Sequence, residues 1–191
     1  MIKTERLPKE YVEVDYIESS GTECINTDVT NNCYKSETLI AWKSLTTATS
    51  TRQLMGSEFV GYWGINNGKY ELYQLSDYSA EIGRWDKVVF QVTKDSTYSY
   101  RYLTVNDNVL FNGQTSTTMP ARKIFLFALN YNFGCNCRIK YQKIWNENNT
   151  LVRNFIPCYR KSDNEVGMYD LVNGVFYTNS GTGSFTYGDD I

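Results

Sequence analysis

The chain has 191 residues, a formal net charge of −2 and no histidine. This length suits one large β-sandwich domain, and a hydrophobic content of 41% can fill a core without metals or crosslinks. The charge argues against a basic surface for nucleic acid. The lack of histidine removes the commonest general base and metal ligand. We therefore expect a protein that folds by burial, binds no nucleic acid and lies outside many enzyme classes.

The first ten residues, MIKTERLPKE, are largely polar and include a proline. A secretory signal requires a run of ~7–15 apolar residues, and a membrane-spanning helix requires ~18. Because neither pattern occurs, we expect no export by that route and no membrane insertion. The sequence predicts an N-terminal arm over residues 1–10 and one domain over residues 11–191.

Short alternating or apolar segments recur along the rest of the chain, with almost no helical spacing. The predicted strands cover residues 11–17, 34–42, 53–57, 60–65, 70–74, 87–93, 98–105, 123–129, 138–145, 152–158, 166–169 and 175–178. Asn and Gly clusters between them tolerate the positive φ of tight turns. The small polar run 44–52 is predicted to be a loop. About a dozen strands predict an all-β fold of two stacked antiparallel sheets.

Two segments, 88–92 and 124–128, are continuous apolar runs. Such runs are typical of central strands that are buried on both faces. We expect both to anchor the core, and we expect Trp85 to be a core tryptophan at the start of a central strand.

Motifs at both ends of the chain resemble one family. Residues 151–185 read LVRNFIPCYRKSDNEVGMYDLVNGVFYTNSGTGSF, and residues 11–29 read YVEVDYIESSGTECINTDV. Together they resemble the laminin-G-like, concanavalin A-like jelly-roll domains of gut bacteriophage virion proteins and gut bacterial surface proteins. The resemblance extends over residues 7–188 and implies a two-sheet antiparallel β-sandwich.

The resemblance also implies a function. It indicates a non-catalytic recognition or surface-display module with glycan or virion-protein partners. The implied setting is a virion assembled in the host cytoplasm, as a tail-fibre, head-fibre or capsid-decoration protein, or else a cell surface. A purely structural virion assembly protein is the alternative. The sequence leaves the oligomeric state open between a monomer and a homo-oligomer.

An enzymatic alternative comes from Glu13, Asp15 and Glu18, which have the ExDxxE spacing of laminarinase-type glycoside hydrolases. Glu13 and Asp15 share one face of a strand, and Glu18 joins them only across a bulge. Retaining hydrolases hold their two carboxyl groups ~5–5.5 Å apart, which such a bulge permits. Only twelve residues precede Glu13, whereas those enzymes carry the motif in mid-chain. We therefore expect a solvated strand face and assign no catalytic residue.

Aromatic residues cluster around the predicted hairpin at residues 66–68. Glycan sites combine aromatic faces with amide and carboxylate groups. The sequence predicts ligand contacts from this cluster, with Trp63 preferred: Tyr62, Trp63, Asn66, Tyr70 and Tyr73.

A second aromatic group comprises Tyr98, Tyr100 and Tyr102, which alternate along one predicted strand. Alternation places the three rings on one face. They form either an exposed platform or part of the core, and Leu103 and Val105 on the opposite face favour the platform.

Metal sites have weak support in the sequence. The segments 106–108 and 189–190 offer oxygen ligands for calcium, but turn formation accounts for them. Cys135 and Cys137 lack the further ligands that zinc requires. We assign no cofactor and no metal ligand, and calcium remains a minor alternative. The five cysteines are expected to be mostly buried free thiols: Cys24, Cys33, Cys135, Cys137 and Cys158.

Overall fold

The computed structural model describes residues 6–31, 34–45, 52–57, 61–72, 75–117, 121–128 and 134–191. These residues form β-strands and no α-helix. In the same residues, no helix is long and apolar enough to cross a lipid bilayer. In chain order the strands are β1 (Tyr11–Glu13), β2 (Ile17–Ser20), β3 (Ile25–Asn31), β4 (Tyr34–Trp42), β5 (Arg52–Ser57), β6 (Gly61–Asn66), β7 (Lys69–Leu72), β8 (Leu75–Ser79), β9 (Trp85–Lys94), β10 (Tyr98–Val105), β11 (Asn108–Thr117), β12 (Arg122–Leu126), β13 (Asn136–Asn146), β14 (Leu151–Arg160), β15 (Val166–Asp170), β16 (Val175–Thr178) and β17 (Thr186–Tyr187).

The strands form two antiparallel sheets that pack face to face. The larger, eleven-stranded sheet has the order β11-β10-β9-β4-β13-β14-β15-β16, with β1 beside β14, β2 beside β13, and β17 beside β2. The smaller sheet has the order β3-β12-β5-β6-β7-β8. One hydrophobic cluster draws side chains from both sheets. The predicted all-β, two-sheet antiparallel sandwich of jelly-roll type is confirmed.

Several strands differ from their predicted bounds. The predicted strand 11–17 is two strands, since β1 pairs with β14 whereas β2 pairs with β13. The pattern missed β3, β8, β11 and β17, which contain many polar residues. The predicted loop 44–52 lies mostly outside the described residues.

The two continuous apolar runs have different environments. All residues of 124–128 are at most 5% exposed, so this run is buried as predicted. The run 88–92 alternates instead, with Val89 and Gln91 half-buried on the outer face of β9. The expectation of burial on both faces is wrong there, because the second sheet covers only the inner face of β9.

Trp85 lies on that same outer face and not in the core. It is half-buried, with Tyr16 at 6.0 Å between ring centroids and the Lys140 ammonium at 4.7 Å. Trp42 and Trp63 are the tryptophans of the core cluster.

A buried hydrogen-bond network joins the two sheets. The Tyr70 hydroxyl on β7 donates to Asp86 on β9 at 2.8 Å and accepts from Trp42 Nε1 at 3.0 Å. Asp86 also accepts from Arg84 at 2.8 Å and from Asn106 at 2.7 Å, so its buried charge is compensated. Burial raises the pKa of Tyr70, and the Asp86 charge raises it further. The phenol therefore remains a donor that links β7 to the larger sheet.

Glu23 closes the turn after β2. Its buried carboxylate accepts from the hydroxyls of Ser19, Ser20 and Thr22 and from the Ser20 N–H. Burial alone raises the pKa of Glu23, but these hydrogen bonds outweigh it and hold the pKa below 4.5. The turn packs on the glycine-rich segment near the C-terminus. At Gly183, where φ is +81°, an added Cβ would lie 2.5 Å from Glu23 Oε1, so both conformation and space require glycine.

The predicted N-terminal arm is described from residue 6 onward. Arg6 forms an ion pair with Glu13, and the Glu10 carbonyl accepts from the Lys161 N–H at 2.9 Å. Leu7 packs against a small buried cluster on β14 and β15. Residues 6–10 therefore lie against the domain.

Candidate functional site

The leading residues of the predicted aromatic site lie in the core. Trp63 is 0% exposed and Tyr70 is 1% exposed, with their ring centroids 6.4 Å apart. A buried ring cannot stack on a sugar, because neither face is open to a ligand. The structure therefore gives Trp63 and Tyr70 a packing role between the sheets and no exposed contact surface.

The other members of that cluster lie at its edge or beyond the described residues. Asn66 is half-buried at the end of β6, where it faces Lys69 across the hairpin. The backbone of Tyr62 belongs to β6, but its side chain is outside the described part of the structure, as is all of Tyr73. Ligand contacts from these three residues stay predictions.

The ExDxxE carboxylates do not form a catalytic pair in this geometry. Each has its own cationic partner: Glu13 with Arg6, Asp15 with Lys140, and Glu18 with Arg138 and Lys43. Burial raises the pKa of Glu18, but hydrogen bonds from Lys43 and Arg138 outweigh it and lower the pKa below 4.5. A general acid needs the opposite shift. The hydrolase hypothesis has no support from these side chains.

The candidate calcium loop after β10 is a tight turn. Asp107 pairs with Lys87 at 2.7 Å, and the Asn106 side chain accepts from the Lys87 N–H at 2.9 Å. Asn106 and Asp107 have φ values of 50° and 65°, which Asn and Asp tolerate. In the described ranges, no group of three or more Asp, Glu or Cys side chains is arranged to hold a metal ion.

The described cysteines are buried thiols without disulfide bonds: Cys24, Cys135, Cys137 and Cys158. Cys33 lies outside the described residues. Burial raises the pKa of Cys24 to about 11 and the pKa of Cys158 to about 12. Thiols of this kind are poor nucleophiles and poor metal ligands at neutral pH.

The tyrosines of β10 face solvent. Tyr98 and Tyr100 are 39% and 37% exposed, and Tyr102 is half-buried. The intervening Ser99 and Arg101 are buried, as strand alternation requires. The structure therefore supports the exposed platform over the core alternative for these rings.

Strand register extends this platform across the larger sheet. Tyr102 lies opposite Asn112 and Gln91, Gln91 lies opposite Lys35, and Lys35 lies opposite Trp145. Directly opposite residues share a face, so these five residues form a line over β11, β10, β9, β4 and β13, named here the cross-strand row. All five are exposed or half-buried. At ~4.8 Å between strands, the row is about 19 Å long.

Two adjoining cavities follow the cross-strand row. The smaller, of about 230 Å³, is lined by Asn112 and Tyr102 among others. The larger, of about 470 Å³, is lined by Lys35 and by residues of the loop after β13. Gln91 and Thr93 line both, so the cavities adjoin at these residues. Together the two cavities are lined by four residues of the row: Asn112, Tyr102, Gln91 and Lys35. The larger volume is within the ~300–1,000 Å³ of small-ligand sites.

The chemistry of the row matches what sugars require. Tyr102 and Trp145 supply aromatic rings for stacking. Asn112 and Gln91 supply amides that both donate to and accept from hydroxyl groups. The Lys35 ammonium lies 4.9 Å from the centroid of the Trp145 ring, a cation–π distance.

Polar side chains beside the row are held in place. The Tyr100 hydroxyl donates to Asp95 at 2.8 Å, which raises the pKa of Tyr100. The Tyr141 hydroxyl donates to Glu37 at 3.0 Å, and Lys143 lies 3.8 Å from the same carboxylate. Burial, with the Glu37 charge, raises the pKa of Tyr141 to about 12. These hydroxyls therefore stay protonated and oriented.

Sequence reasoning found only the tyrosines of this site. It missed Asn112, Gln91, Lys35 and Trp145, although three of them lie at outward positions of predicted strands. Alternation within each strand could have marked them as exposed. Gln91 and Asn112 meet Tyr102 through the consecutive strands β9, β10 and β11. Lys35 and Trp145 join the row through the pairing of β4 with β9 and β13, strands distant in sequence, which local patterns do not reveal.

Comparison with known proteins gives the fold. No protein-family model and no curated protein matches the chain. Its structure is similar to the crystal structure of a Bacteroides ovatus protein that has been proposed to bind carbohydrate. The chain shares the fold of that protein, which in this chain is a two-sheet antiparallel β-sandwich. The TM-score is 0.61 at 11% identity, and the match covers 94% of this chain and 62% of that protein's length.

Proposed function

We propose that this protein is a non-catalytic carbohydrate-recognition module whose ligand lies on the cross-strand row. The observation that carries the proposal is the register, which brings two aromatic rings, two amides and an ammonium into one line beside two adjoining cavities. Pre-formed depressions with a few convergent polar groups are typical ligand sites. The likeness to a protein proposed to bind carbohydrate supports the same function.

The non-catalytic part of the proposal rests on the carboxylates. Glu13, Asp15 and Glu18 are each neutralised by a basic side chain, and the pKa of Glu18 is lowered. Hydrolysis of a glycosidic bond needs one carboxyl group that stays protonated as an acid. No residue of the cross-strand row is acidic. Glu147 lines the larger cavity, but the hydrogen bond from the Asn31 amide lowers its pKa, the opposite of what a general acid needs.

We propose a setting on a virion surface, as a tail-fibre, head-fibre or capsid-decoration protein, with a cell surface as the other setting. The motifs at residues 11–29 and 151–185 support this, through their resemblance to laminin-G-like domains of gut phages and bacteria. A surface module of this kind would present the cross-strand row to host or mucosal glycans.

The test is a glycan array, run with and without calcium, on the wild-type protein and on Tyr102→Ala. Loss of a stacking ring should cost about 1 kcal/mol, or roughly fivefold in affinity. Tyr187→Ala is the matched control, since it removes another exposed tyrosine ring, on β17 and away from the row.

Specific binding that weakens in Tyr102→Ala but not in Tyr187→Ala would support the proposal. If binding is unchanged in both variants, the glycan site does not include Tyr102 and lies away from the row. If the wild-type protein binds no glycan on the array, the recognition function fails and the structural virion role becomes the better hypothesis.

A further inference from the structure

We propose that the ligand of the cross-strand row is an acidic oligosaccharide whose carboxylate or sulfate group binds Lys35. This inference rests on the proposed function, because it specifies the ligand class of the same site.

Lys35 differs from four other cations on the outer face of the larger sheet. Those cations have acidic partners: Lys87 with Asp107, Lys140 with Asp15, Lys143 with Glu37, and Arg138 with Glu18. The Lys35 ammonium contacts the ring of Trp145, and in the described part of the chain the Lys35 side chain forms no ion pair or hydrogen bond. No acidic side chain of the described residues therefore neutralises its ammonium, which leaves it able to bind an anion.

The acidic residues near Lys35 are already engaged. Glu37, two positions along β4, accepts from Tyr141 and pairs with Lys143. Glu147 lines the larger cavity, but its carboxylate accepts from the Asn31 amide at 2.5 Å. Neither carboxylate contacts the Lys35 ammonium.

The larger cavity carries an excess of positive charge. Two lysines, Lys35 and Lys94, and one acid, Glu147, line it, whereas the whole chain has a net charge of −2. A positively charged cavity on a chain of negative net charge attracts a negatively charged ligand. The hydrogen bond from Asn31 and the charge of Lys94 both lower the pKa of Glu147. Because the Lys94 charge acts on Glu147 in this way, the charge of Lys35 is the one that favours an anionic over a cationic group in this cavity.

The row also fixes how such a ligand would lie. Lys35 stands between Gln91 and Trp145, near one end of the row, while Tyr102 and Asn112 continue it over two further strands. A row of about 19 Å is longer than one sugar unit. The geometry thus fits an oligosaccharide that crosses the strands, with its charged unit beside Trp145 and its uncharged units over Tyr102.

The experiment uses glycans printed as matched pairs. The pairs are uronic-acid tetrasaccharides and their methyl esters, sialylated oligosaccharides and their asialo forms, and sulfated oligosaccharides and their desulfated forms. The wild-type protein should prefer the charged member of a pair, and the pair that responds distinguishes a carboxylate from a sulfate. The preference should weaken as salt rises, because exposed charges are screened.

Lys35→Gln removes the charge and keeps most of the side-chain stem. It should weaken binding of the charged glycan about tenfold, the loss typical of one charge-assisted hydrogen bond, and leave its neutral partner unaffected. Lys69→Gln is the matched control, because it removes the same charge from an exposed site on β7 in the other sheet. This control should change neither affinity.

Equal binding of charged and neutral members would overturn the acidic ligand while leaving the recognition function intact. So would charged-glycan binding that is unchanged in Lys35→Gln. The absence of all glycan binding would instead refute the proposed function, and the acidic ligand with it.

Discussion

The aromatic residues of β6 and β7 and those of β10 lie in opposite environments. Trp63 and Tyr70 are buried between the sheets, whereas Tyr98 and Tyr100 face solvent. Both groups lie on short strands of mixed polarity beside turns. The number of aromatic residues in a segment therefore does not identify a binding surface by itself.

Whether a ring is buried or exposed depends on its position relative to the facing sheet. On β7, the Tyr70 ring points towards the larger sheet and hydrogen-bonds Asp86 within it. On β10, the inward positions are taken by Ser99, Arg101 and Leu103, so the tyrosines must point outward. Two matched sets of substitutions can test this difference. Removing a buried ring should lower the stability of the domain, whereas removing an exposed ring should weaken ligand binding.

The largest expected effect is that of Trp63→Ala. Removing a fully buried tryptophan should lower the free energy of unfolding by about 3–5 kcal/mol, as measured by urea denaturation. Because the ring is 0% exposed, glycan affinity per folded molecule should not change.

Trp145→Ala is the matched control from the cross-strand row. It should lower stability much less, because the ring is only half-buried, and it should weaken glycan binding. If Trp63→Ala left stability intact and abolished binding, the contrast between the two regions would be wrong.

A smaller loss is expected for Tyr70→Phe. This change removes the hydroxyl that donates to Asp86 and accepts from Trp42. Leaving buried groups without a partner costs about 1–3 kcal/mol, which thermal unfolding would show as a lower Tm. Tyr98→Phe, at an exposed ring, should leave Tm unchanged, and an equal shift in both variants would contradict the structure.

A pH-dependent effect is expected for Glu23. Its pKa is below 4.5 in the folded protein, so the folded state favours the ionised form. The contribution of the ionised Glu23 carboxylate to the free energy of unfolding is therefore complete above pH 4.5. This contribution is lost as the pH falls through the pKa of Glu23 in the folded state. Glu23→Gln should be less stable at pH 7, by about 1–2 kcal/mol, and the gap to wild type should narrow below pH 4.5.

The exposed Asp95 provides the comparison for Glu23. Its pKa is also lowered, by the N–H groups of Tyr98 and Thr97 and by the Tyr100 hydroxyl. Because solvent screens this carboxylate, Asp95→Asn should give the smallest stability change of the series. Urea denaturation from pH 3 to pH 7 measures the free energy of unfolding of both variants and of the wild type. If the difference between Glu23→Gln and the wild type grew as the pH fell, the lowered pKa of Glu23 would be refuted.

Much of the fold was predictable because it depends on local patterns. The bounds of β4 and β10 match the predicted strands to the residue, since alternation and turn residues are read directly. Polar strands such as β3 and β11 escaped prediction because their side chains are partly exposed and lack an apolar pattern.

The candidate site was much less predictable. Tyr102 was recognised from alternation within its own strand. The contact between Lys35 and Trp145 depends on pairing of β4 with β13, which brings together two residues that are 110 positions apart in the chain. The burial of Trp63 depends likewise on the sheet that packs over it, and no local signal reports that sheet.

The pairing of β1 and β2 determines when this domain can fold during synthesis. Of the strands described here they are the first to be synthesised, yet they pair with β13, β14 and β17, and Val14 bridges to Asp190. The larger sheet therefore cannot close until residue 190 is available, and folding is dominated by slow, long-range contacts. A nascent chain halted near residue 135 would display β1 and β2 without these partners, and unpaired strand edges favour aggregation.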